Sequence, residues 1–345
     1  MDLARAPRPD PVDVPPAFAQ ALVEIGLAGE GERLVGAPLA GGVSSDIWRI
    51  DTGRGAVCAK RALAQLRVAA DWRAPVERNR YEARWLEVAN AAQPGCAPRL
   101  LGQHETLGVV VMTWLEPDQH RLWKEMLRDG DADLATAAAV GATLGRIHAY
   151  SAARPELAAR FDSDAIFFAI RLEPYLLATA RRHPDLAPAL ERLVASTAAT
   201  RRALVHGDVS PKNIVIGPHG PVLLDAECAW WGEPAFDLAF CLNHLLLKCL
   251  WTPGAAPAFL ASFEALAVAY LDAVDWEPRE AIERRAAALL PGLLLARVDG
   301  KSPVEYIDAD ADRELVRRVA GALIRRPVAR LADVAAAWRH GWVTR

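Results

Sequence analysis

A short polar segment at residues 206–213, His-Gly-Asp-Val-Ser-Pro-Lys-Asn, constrains the fold of this chain more than any other feature. An apolar run with a β-branched bias follows it, then the turn residues Gly-Pro-His-Gly at 217–220, then a second apolar run that leads into Asp225. Two such runs around a strong turn predict a β-hairpin. Antiparallel pairing about the turn centre puts residue 213 opposite residue 224, so Asn213 and Asp225 should meet at one end of the hairpin.

The side chains gathered at this point suit the transfer of a phosphoryl group from a nucleotide. Asp208 is close enough to orient or deprotonate a hydroxyl group, and Lys212 would place a positive charge near the transferred phosphate. Asn213 and Asp225 offer an amide and a carboxylate oxygen, the hard ligands that Mg²⁺ combines with substrate phosphates. Glu227 is a further candidate ligand for the metal. The alternative is that His-Gly-Asp forms an ordinary surface turn and Asp225 simply ends a strand.

The same segment resembles the catalytic core of the aminoglycoside phosphotransferase and choline kinase superfamily, whose pattern is HGDxxxxN followed by a strand that ends in Asp. The continuation Gly-Glu-Pro-Ala-Phe-Asp-Leu-Ala at 232–239 resembles the G-[DE]-P-x-x-D-L-A segment of that family. The resemblance implies a two-lobed, protein-kinase-like α+β fold with a small β-rich N-terminal lobe and a larger, mainly helical C-terminal lobe. It also implies that ATP and Mg²⁺ are the cofactors and that Asp237 ties the catalytic loop in place.

The residues upstream fit the nucleotide-binding lobe that the resemblance implies. Three short strands are predicted at 34–39, 47–50 and 57–60, with turn residues between them. Backbone and hydroxyl donors in the first turn would cover the ATP phosphates, although a Gly-Gly turn taken alone is usually just a hairpin. The candidate residues in this turn are Gly41, Gly42, Ser44 and Ser45.

Two further elements of that lobe are predicted by the resemblance. Lys60 falls where the family keeps the lysine that contacts the α and β phosphates. Glu82, on a following helical pattern, is the candidate ion-pair partner of Lys60, and Glu77 is the competing choice. An apolar strand at 108–112 then leads into a hinge at 113–117, where backbone groups would bind the adenine edge. The hinge candidates are Thr113, Trp114 and Leu115.

The chain is expected to divide into four parts. Residues 1–16, rich in Pro, Arg and Asp, are predicted to be a disordered tail. Residues 17–112 would form the nucleotide-binding lobe, 113–117 the hinge, and 118–345 the catalytic and substrate lobe. A helix is predicted at 134–150, where His148 has a structural role.

Composition limits the possible partners and the compartment. The chain has 345 residues, 52% of them hydrophobic, which is enough for a substantial core. A formal net charge of −3 argues against a nucleic-acid-binding surface. Five cysteines without CxxC spacing suggest neither a disulfide framework nor a zinc site. No signal peptide is predicted, because residues 1–16 have no apolar h-region, and no membrane span is predicted, because the apolar segment 286–296 is short and interrupted by Pro-Gly. A cytoplasmic protein is expected, and the sequence does not indicate its oligomeric state.

Two features bear on the acceptor substrate. Asp225-Ala226-Glu227 is a DxE sequence that resembles methylthioribose kinase, a sugar kinase of the same superfamily. The adjacent Trp230 and Trp231 are predicted to wall the substrate pocket, with core packing as the alternative. A charge-dense helix end then offers three substrate-contact candidates, for which helix capping around Gly300 is the alternative. These candidates are Arg297, Asp299 and Lys301.

A small hydroxylated metabolite is therefore the expected phosphoryl acceptor. Residues 240–345 mix acids and bases, whereas a pocket for a polycationic aminoglycoside should be acidic, so a sugar or sugar-like alcohol is preferred. An aminoglycoside kinase, an amino-alcohol kinase and a non-catalytic nucleotide-binding scaffold remain as alternatives. A protein kinase is disfavoured, because the chain lacks GxGxxG, DFG and APE-like segments.

Overall fold

A computed structural model describes residues 12–39, 45–63 and 75–343 of the chain. Of the residues predicted to cover the ATP phosphates, Gly41, Gly42 and Ser44 lie outside these ranges. Residues 1–11 of the predicted tail also lie outside them. The tail boundary at residue 16 was wrong, because Val12 and Asp13 form a strand and a helix begins at Pro16.

The N-terminal part of the chain is built on an antiparallel sheet. Its strands are β1 (Val12–Asp13), β2 (Val35–Pro38), β3 (Ser45–Thr52), β4 (Gly55–Ala62), β5 (Leu100–His104) and β6 (Val109–Thr113). They pair in the order β1-β2-β3-β4-β6-β5. The strands predicted at 34–39, 47–50, 57–60 and 108–112 are all present in this sheet.

The sheet lies between two helices, and the side chains of β6 contribute to the packing on both faces. Side chains alternate across a strand, so Val109 and Val111 face one side and Val110 and Met112 the other. The first pair packs into a small core with α1 (Pro16–Glu24), whereas the second pair belongs to the main core, together with Trp85 of α2 (Arg78–Ala92). The sheet is thus covered on both faces, and α2 joins it to the rest of the molecule.

The C-terminal part is mainly helical, with short strands around the loop at residues 206–213. Its helices are α3 (Trp123–Arg128), α4 (Leu134–Ala152), α5 (Asp164–Phe167), α6 (Ala178–Arg182), α7 (Ala187–Ala199), α8 (Pro234–Trp251), α9 (Ala256–Asp272), α10 (Arg279–Asp299), α11 (Asp310–Arg325) and α12 (Leu331–Val343). A wider π-helical stretch, Phe168–Leu177, joins α5 to α6. The strands are β7 (Arg121–Leu122), β8 (Ala203–Val205), β9 (Ile214–Gly217), β10 (Gly220–Leu223) and β11 (Trp230–Gly232).

Helix α8 runs through the centre of this helical part. Every residue from Pro234 to Leu250 is buried, as expected for a helix whose apolar side chains cover all of its faces. Helices α9 and α10 pack against it. Three ionisable side chains are nevertheless buried on α8, namely Asp237, His244 and Lys248, and their spacing of seven and four residues places them on one side of the helix.

Helices α4 and α9 pack closely because α4 has glycine at the crossing. A Cβ atom at Gly141 would lie 2.2 Å from the carbonyl oxygen of Leu266 on α9, and one at Gly145 would lie 3.0 Å from that of Tyr270. In the described part of the chain, the stretch Pro253–Asp272 is the one helix long and apolar enough to span a membrane, with a mean hydropathy of 1.5. Leu266 and Tyr270 are fully buried, whereas Val268 is exposed, so one side of this helix packs against the rest of the protein.

The Pro-Gly pair inside the apolar segment 286–296 does not break the helix. Helix α10 continues through Pro291 and Gly292. Proline removes one backbone donor from a helix, and this cost is offset here by burial of the surrounding turn. Gly292 lets the helix approach its neighbours, since a Cβ atom there would lie 3.0 Å from a methyl group of Leu176. The predicted helix end at Gly300 is present, because α10 ends at Asp299.

Candidate active site

The loop between β8 and β9 is fixed by a glycine and a buried carboxylate. Gly207 has a φ of +81°, and a Cβ atom there would lie 2.8 Å from both the Cβ and the carbonyl oxygen of Cys228. No larger residue fits this position. Asp237, near the start of α8, accepts hydrogen bonds from the backbone N–H groups of His206 (2.7 Å) and Gly207 (2.8 Å). Asp237 therefore makes the contacts that its expected role in tying down the loop requires.

His206 has a structural part in the same loop. Burial lowers the pKa of His206, which favours the neutral ring. Its Nδ1 accepts from the backbone N–H of Asp208 at 3.1 Å, so its Nε2 carries the proton and donates to the carbonyl oxygen of Leu224 at 3.1 Å. The edge of the ring also contacts Trp85 of α2. His206 thus joins the loop to the hairpin strand that leads to Asp225.

Asp208 is buried and paired with two cations. Its Oδ2 lies 2.9 Å from Nη2 of Arg171 and 3.4 Å from Nζ of Lys212. Burial alone would raise the pKa of Asp208, but Arg171 and then Lys212 outweigh that effect and lower it. The carboxylate is therefore ionised at neutral pH and can accept a hydrogen bond or a proton from a hydroxyl group.

Arg171 is a site residue that the sequence did not indicate. It is buried in the π-helical stretch, and its Nε donates to the carbonyl oxygen of Gly207. Its guanidinium group also lies over the rings of Tyr175 and Phe240. Arg171 and Gly207 are separated by 36 positions in sequence, and no local pattern reveals that they are in contact.

Lys60 lies at the centre of a group of carboxylates. Its Nζ is 2.9 Å from Oε2 of Glu82, contacts Oδ1 of Asp225, and is 3.8 Å from Oε2 of Glu227. Burial lowers the pKa of Lys60, but the three carboxylates reverse this, so the net pKa is raised and the ammonium stays charged. The ion pair predicted between Lys60 and Glu82 is present in the structure.

The hairpin brings Asn213 and Asp225 together in the predicted register. Gly217 pairs with Gly220, and the backbone N–H of Leu224 donates to the carbonyl oxygen of Asn213 at 2.8 Å. The Asn213 side chain donates to the carbonyl oxygen of Asp208 at 3.0 Å, which links the hairpin to the loop. Asp225 has a φ of +65°, in the left-handed region that Asp tolerates better than most residues.

Asp225 offers an ionised carboxylate at the end of the hairpin. Nζ of Lys60 lies among Glu82, Asp225 and Glu227, and Arg78 pairs with Glu227. The lowered pKa of Asp225, where Lys60 and Lys212 outweigh burial, keeps that carboxylate ionised. No three His, Cys, Asp or Glu side chains in the described ranges are grouped to hold a metal by themselves. A metal that takes few protein ligands and completes its shell with phosphate oxygens matches this arrangement.

Glu227 was predicted as a further metal ligand, but it makes other contacts. Its Oε2 accepts from Nε of Arg78 at 3.0 Å and from the hydroxyl of Ser45 at 3.5 Å. Ser45 begins β3 and is buried, and its hydroxyl contacts Glu227; its expected contact with a phosphate stays a prediction. Asp225 and Glu227 both contact Lys60 of β4, and Glu227 also reaches Arg78 of α2.

The hinge candidates follow the last strand of the sheet. Thr113 ends β6, and its Oγ1 accepts from the backbone N–H of Arg99 at 3.0 Å. The ring of Trp114 lies 5.7 Å from the guanidinium carbon of Arg49. Leu115 is half-buried in the segment that leads away from the sheet. The adenine contacts of these residues stay a prediction.

The two tryptophans predicted to wall the substrate pocket are part of the core. Trp230 is 2% exposed and stacks on Phe167, with ring centroids 4.2 Å apart. Trp231 is also buried, and it pairs with Leu204 of β8. Both lie on β11, a strand inside the helical part, so the packing alternative describes them correctly.

Two of the three candidates at the end of α10 also have other partners. Asp299 accepts from Arg317 at 2.8 and 2.9 Å and contacts His183 at 2.8 Å. Lys301 is exposed and donates to Glu173 at 2.8 Å. These contacts join α10 to neighbouring helices and leave only Arg297 at the pocket.

A small pocket lies next to the catalytic loop. The space between its lining residues is about 260 Å³, part of it open to solvent. Sequence reasoning found Lys212 and Arg297 among its polar residues and missed the others. The polar side chains that line it, apart from Glu305, are Lys124, Lys212, His244, Lys248, Arg297 and Tyr306.

A sheet-rich N-terminal part and a helical C-terminal part meet at Lys60, Asp208, Asn213 and Asp225, which is the architecture of a phosphotransferase with a protein-kinase-like fold. The chain belongs to the phosphotransferase enzyme family APH, which matches residues 35–282 and thus more than half of its length. The predicted superfamily and the prediction that the protein is a phosphotransferase are confirmed. No curated protein matches the sequence.

Solved structures agree with this fold. A choline/ethanolamine kinase family protein from Mesorhizobium loti is 19% identical, with a TM-score of 0.51 over 94% of this chain and 98% of that one. The amicoumacin kinase hAmiN, in complex with AMP-PNP, Ca²⁺ and Ami, is 14% identical, with a TM-score of 0.52 over 87% and 91%. An ethanolamine kinase from Plasmodium vivax is 11% identical, with a TM-score of 0.50 over 95% and 86%. The predicted two-lobed α+β fold is confirmed.

Proposed function

We propose that the protein transfers the γ-phosphoryl group of ATP to a hydroxyl group of a small metabolite. The observation that carries the proposal is the ionised, buried Asp208. This carboxylate lies on the loop that also presents Lys212 to the pocket and Asn213 to Asp225. A base, a metal-binding pair and an acceptor pocket within one loop and hairpin are the parts that phosphoryl transfer needs.

The nucleotide would bind between the sheet and the loop. Lys60, held by Glu82, would contact the α and β phosphates, and the residues from Gly41 to Ser44 would cover them. Backbone groups at 113–115 would bind the adenine. Residues 113–117 would form the hinge between a nucleotide-binding lobe at 17–112 and a catalytic lobe at 118–345. Asn213 and Asp225 would hold Mg²⁺, which neutralises phosphate charge when it is bound.

Asp208 would act on the acceptor. Its carboxylate accepts the hydroxyl proton while the acceptor oxygen bonds to the γ-phosphorus and the bond to the β,γ-bridging oxygen breaks, releasing ADP. Arg171 holds Asp208 from the side of the helical core and keeps it ionised. Lys212 lies 3.4 Å from the same carboxylate and lines the pocket, which places its charge beside the transferred group.

The preference for a sugar acceptor has lost its support in the substrate lobe. Trp230 and Trp231 are core residues, and Asp299 and Lys301 pair with other side chains. What remains is a small acceptor with a hydroxyl group. The structural relatives include kinases named for choline, ethanolamine and amicoumacin, but their low identity to this chain supports the fold and not a substrate. We place the protein in the cytoplasm, acting without nucleic-acid or membrane partners.

Release of ADP from MgATP, measured with a panel of acceptors, tests the proposal. The panel contains sugars, polyols, amino alcohols, aminoglycosides and hydroxy acids, and ³¹P NMR identifies any phosphate monoester formed. We expect at least one class to stimulate ADP release above the rate with water alone. If no class does so while MgATP still binds, the non-catalytic scaffold is the better description.

A further inference from the structure

The pocket beside Asp208 has an unusual concentration of basic side chains. The chain contains only five lysines, and three of them, Lys124, Lys212 and Lys248, line this one pocket. Arg297 lines it as well. Clustered like charges repel one another, and a small protein cavity screens them less well than water does. Basic side chains grouped around one small pocket therefore indicate that it binds a negative group, which relieves this repulsion.

Several polar atoms at this pocket have no hydrogen-bond partner among the residues that the structure describes. They are Nε2 of His244, Nε of Arg297 and the hydroxyl oxygen of Tyr306. His244 and Arg297 are more than nine-tenths buried. A buried donor without a partner costs about 1–3 kcal/mol, so such groups are rarely left unpaired unless a ligand satisfies them. The Arg297 and Tyr306 donors are the type that an oxyanion accepts from.

Lys248 is the most exceptional of these groups. It is 1% exposed, and its Nζ lies 3.8 Å from the ring centroids of both Trp251 and Tyr306. No carboxylate in the described ranges lies within ion-pair distance of it. Burial, with a smaller effect from Lys124, outweighs the attraction of Glu305 and lowers the pKa of Lys248 to about 6. An anion bound beside Lys248 would restore its charge and compensate for its burial.

The single acidic residue of the pocket is already engaged. Glu305 is exposed, and its carboxylate forms an ion pair with Lys124. No ion pair joins it to Lys248 or Arg297 within the described residues. Arg297 is held in place through Nη1, which donates to the hydroxyl oxygens of Tyr175 and Ser302 at 3.1 Å each.

We propose that the acceptor substrate is anionic: a small hydroxylated carboxylate or phosphate ester whose negative group binds at Lys248, Arg297 and Tyr306. Its hydroxyl group would then reach Asp208 past Lys212, which lines the pocket and lies 3.4 Å from the Asp208 carboxylate. The same positive charges disfavour choline-like or aminoglycoside acceptors, because a cation in this pocket is repelled. This inference rests on the proposed phosphoryl transfer at Asp208.

Acceptors that share a three-carbon skeleton isolate the effect of charge. Glycerol, DL-glycerate and glycerol 3-phosphate are compared as acceptors in MgATP-dependent ADP release, with choline as a cationic alcohol. We expect kcat/KM for glycerate or glycerol 3-phosphate to exceed that for glycerol and choline by at least about tenfold. The two anionic arms distinguish a carboxylate from a phosphate ester. Equal or better use of glycerol or choline would overturn the inference and leave the proposed phosphoryl transfer intact.

Binding without nucleotide separates the two proposals. Calorimetry measures the affinity of inorganic phosphate and of glycerate for the wild type, Lys248→Met and Arg297→Met, with Lys301→Met as the matched control at an exposed lysine paired outside the pocket. We expect the two pocket variants to weaken anion binding about 10- to 100-fold and the control to leave it unchanged. Lys248→Met keeps the side-chain length, so the test stands even if Arg297→Met fails to fold.

The results have distinct meanings. Anion binding that depends on Lys248, in a protein that phosphorylates no acceptor, would refute the proposed function and support an anion site. Wild-type protein that binds phosphate and glycerate no more tightly than Lys248→Met refutes the anion site whatever the enzyme phosphorylates.

Discussion

Replacing Lys248 by Met is predicted to make the protein more stable at neutral pH. The folded-state pKa of Lys248 is about 6, whereas an unfolded chain holds its lysines near the ordinary value of 10.5. The unfolded state therefore binds the extra proton at any pH between these values. Folding is disfavoured by an amount that grows as the pH falls from 10.5 and becomes constant below about 6. Methionine carries no proton and fits between the same two rings.

The size of the effect follows from the pKa. Each unit of pH between 7 and 10.5 adds about 1.4 kcal/mol, so the penalty at pH 7 is at most on the order of 5 kcal/mol. Relaxation and water penetration reduce it, and a gain of about 2–5 kcal/mol is expected for Lys248→Met. With an unfolding entropy of about 2.1 cal/mol/K per residue, this raises Tm by about 3–7 °C. At pH 10 the same estimate leaves less than about 1 kcal/mol, or roughly 1 °C.

Differential scanning calorimetry of both proteins at pH 7 and pH 10 measures this difference. The anion site adds a second expectation, namely that inorganic phosphate raises the Tm of the wild type more than that of Lys248→Met. A variant that is no more stable than the wild type at pH 7, or a difference that is the same at both pH values, would show that Lys248 is not buried at a cost to folding.

Three further substitutions test separate parts of the structure. Arg171→Met removes the main cation that lowers the pKa of Asp208 against the effect of burial, so the pKa of Asp208 should rise. The acidic limb of the pH profile of kcat/KM should then move to higher pH by about one unit or more. Superimposable pH profiles would contradict this. Asp225→Asn tolerates the positive φ and removes the charge, so it should weaken Mg²⁺-dependent ATP binding at least about tenfold in a metal titration, while binding in EDTA is little changed. Gly141→Ala places a methyl group against the backbone of α9 and should cost about 1–3 kcal/mol in urea unfolding, whereas Gly254→Ala, which meets open space, should cost much less; equal effects would refute the packing argument.

Local patterns were enough to predict the hairpin and the loop. The register of β9 and β10 follows from two apolar runs and one turn, which is why Asn213 and Asp225 meet where the sequence placed them. Lys60 and Glu82 were found through resemblance to a family pattern, and they form the expected pair. In both cases, the information lies within a short stretch or a known spacing.

Contacts between distant residues could not be read in the same way. Arg171 reaches Asp208 because the π-helical stretch passes the catalytic loop, and Arg78 reaches Glu227 across 149 positions of sequence. Neither residue stands out among the many arginines of the chain. The prediction that the tryptophans at 230–231 wall the substrate pocket failed for the same reason, because their burial in β11 depends on the helices packed around that strand.

One overlooked signal was present in the sequence. His244 and Lys248 interrupt an otherwise apolar helix at a spacing of four residues, in a chain with few lysines. Charged groups on a fully buried helix are costly, so their presence indicates a site. A search for ionisable residues within apolar helices would have found these two of the nine residues that line the pocket.

Turnover by Asp208→Asn tests the central claim most directly. The substitution keeps the size of the side chain but removes the carboxylate that would accept the hydroxyl proton. With MgATP and an acceptor that the wild type phosphorylates, we predict that kcat falls about 10²- to 10⁴-fold, while the affinity for ATP changes only a few-fold. Wild-type turnover in Asp208→Asn would contradict the assignment of Asp208, and with it the proposed active site.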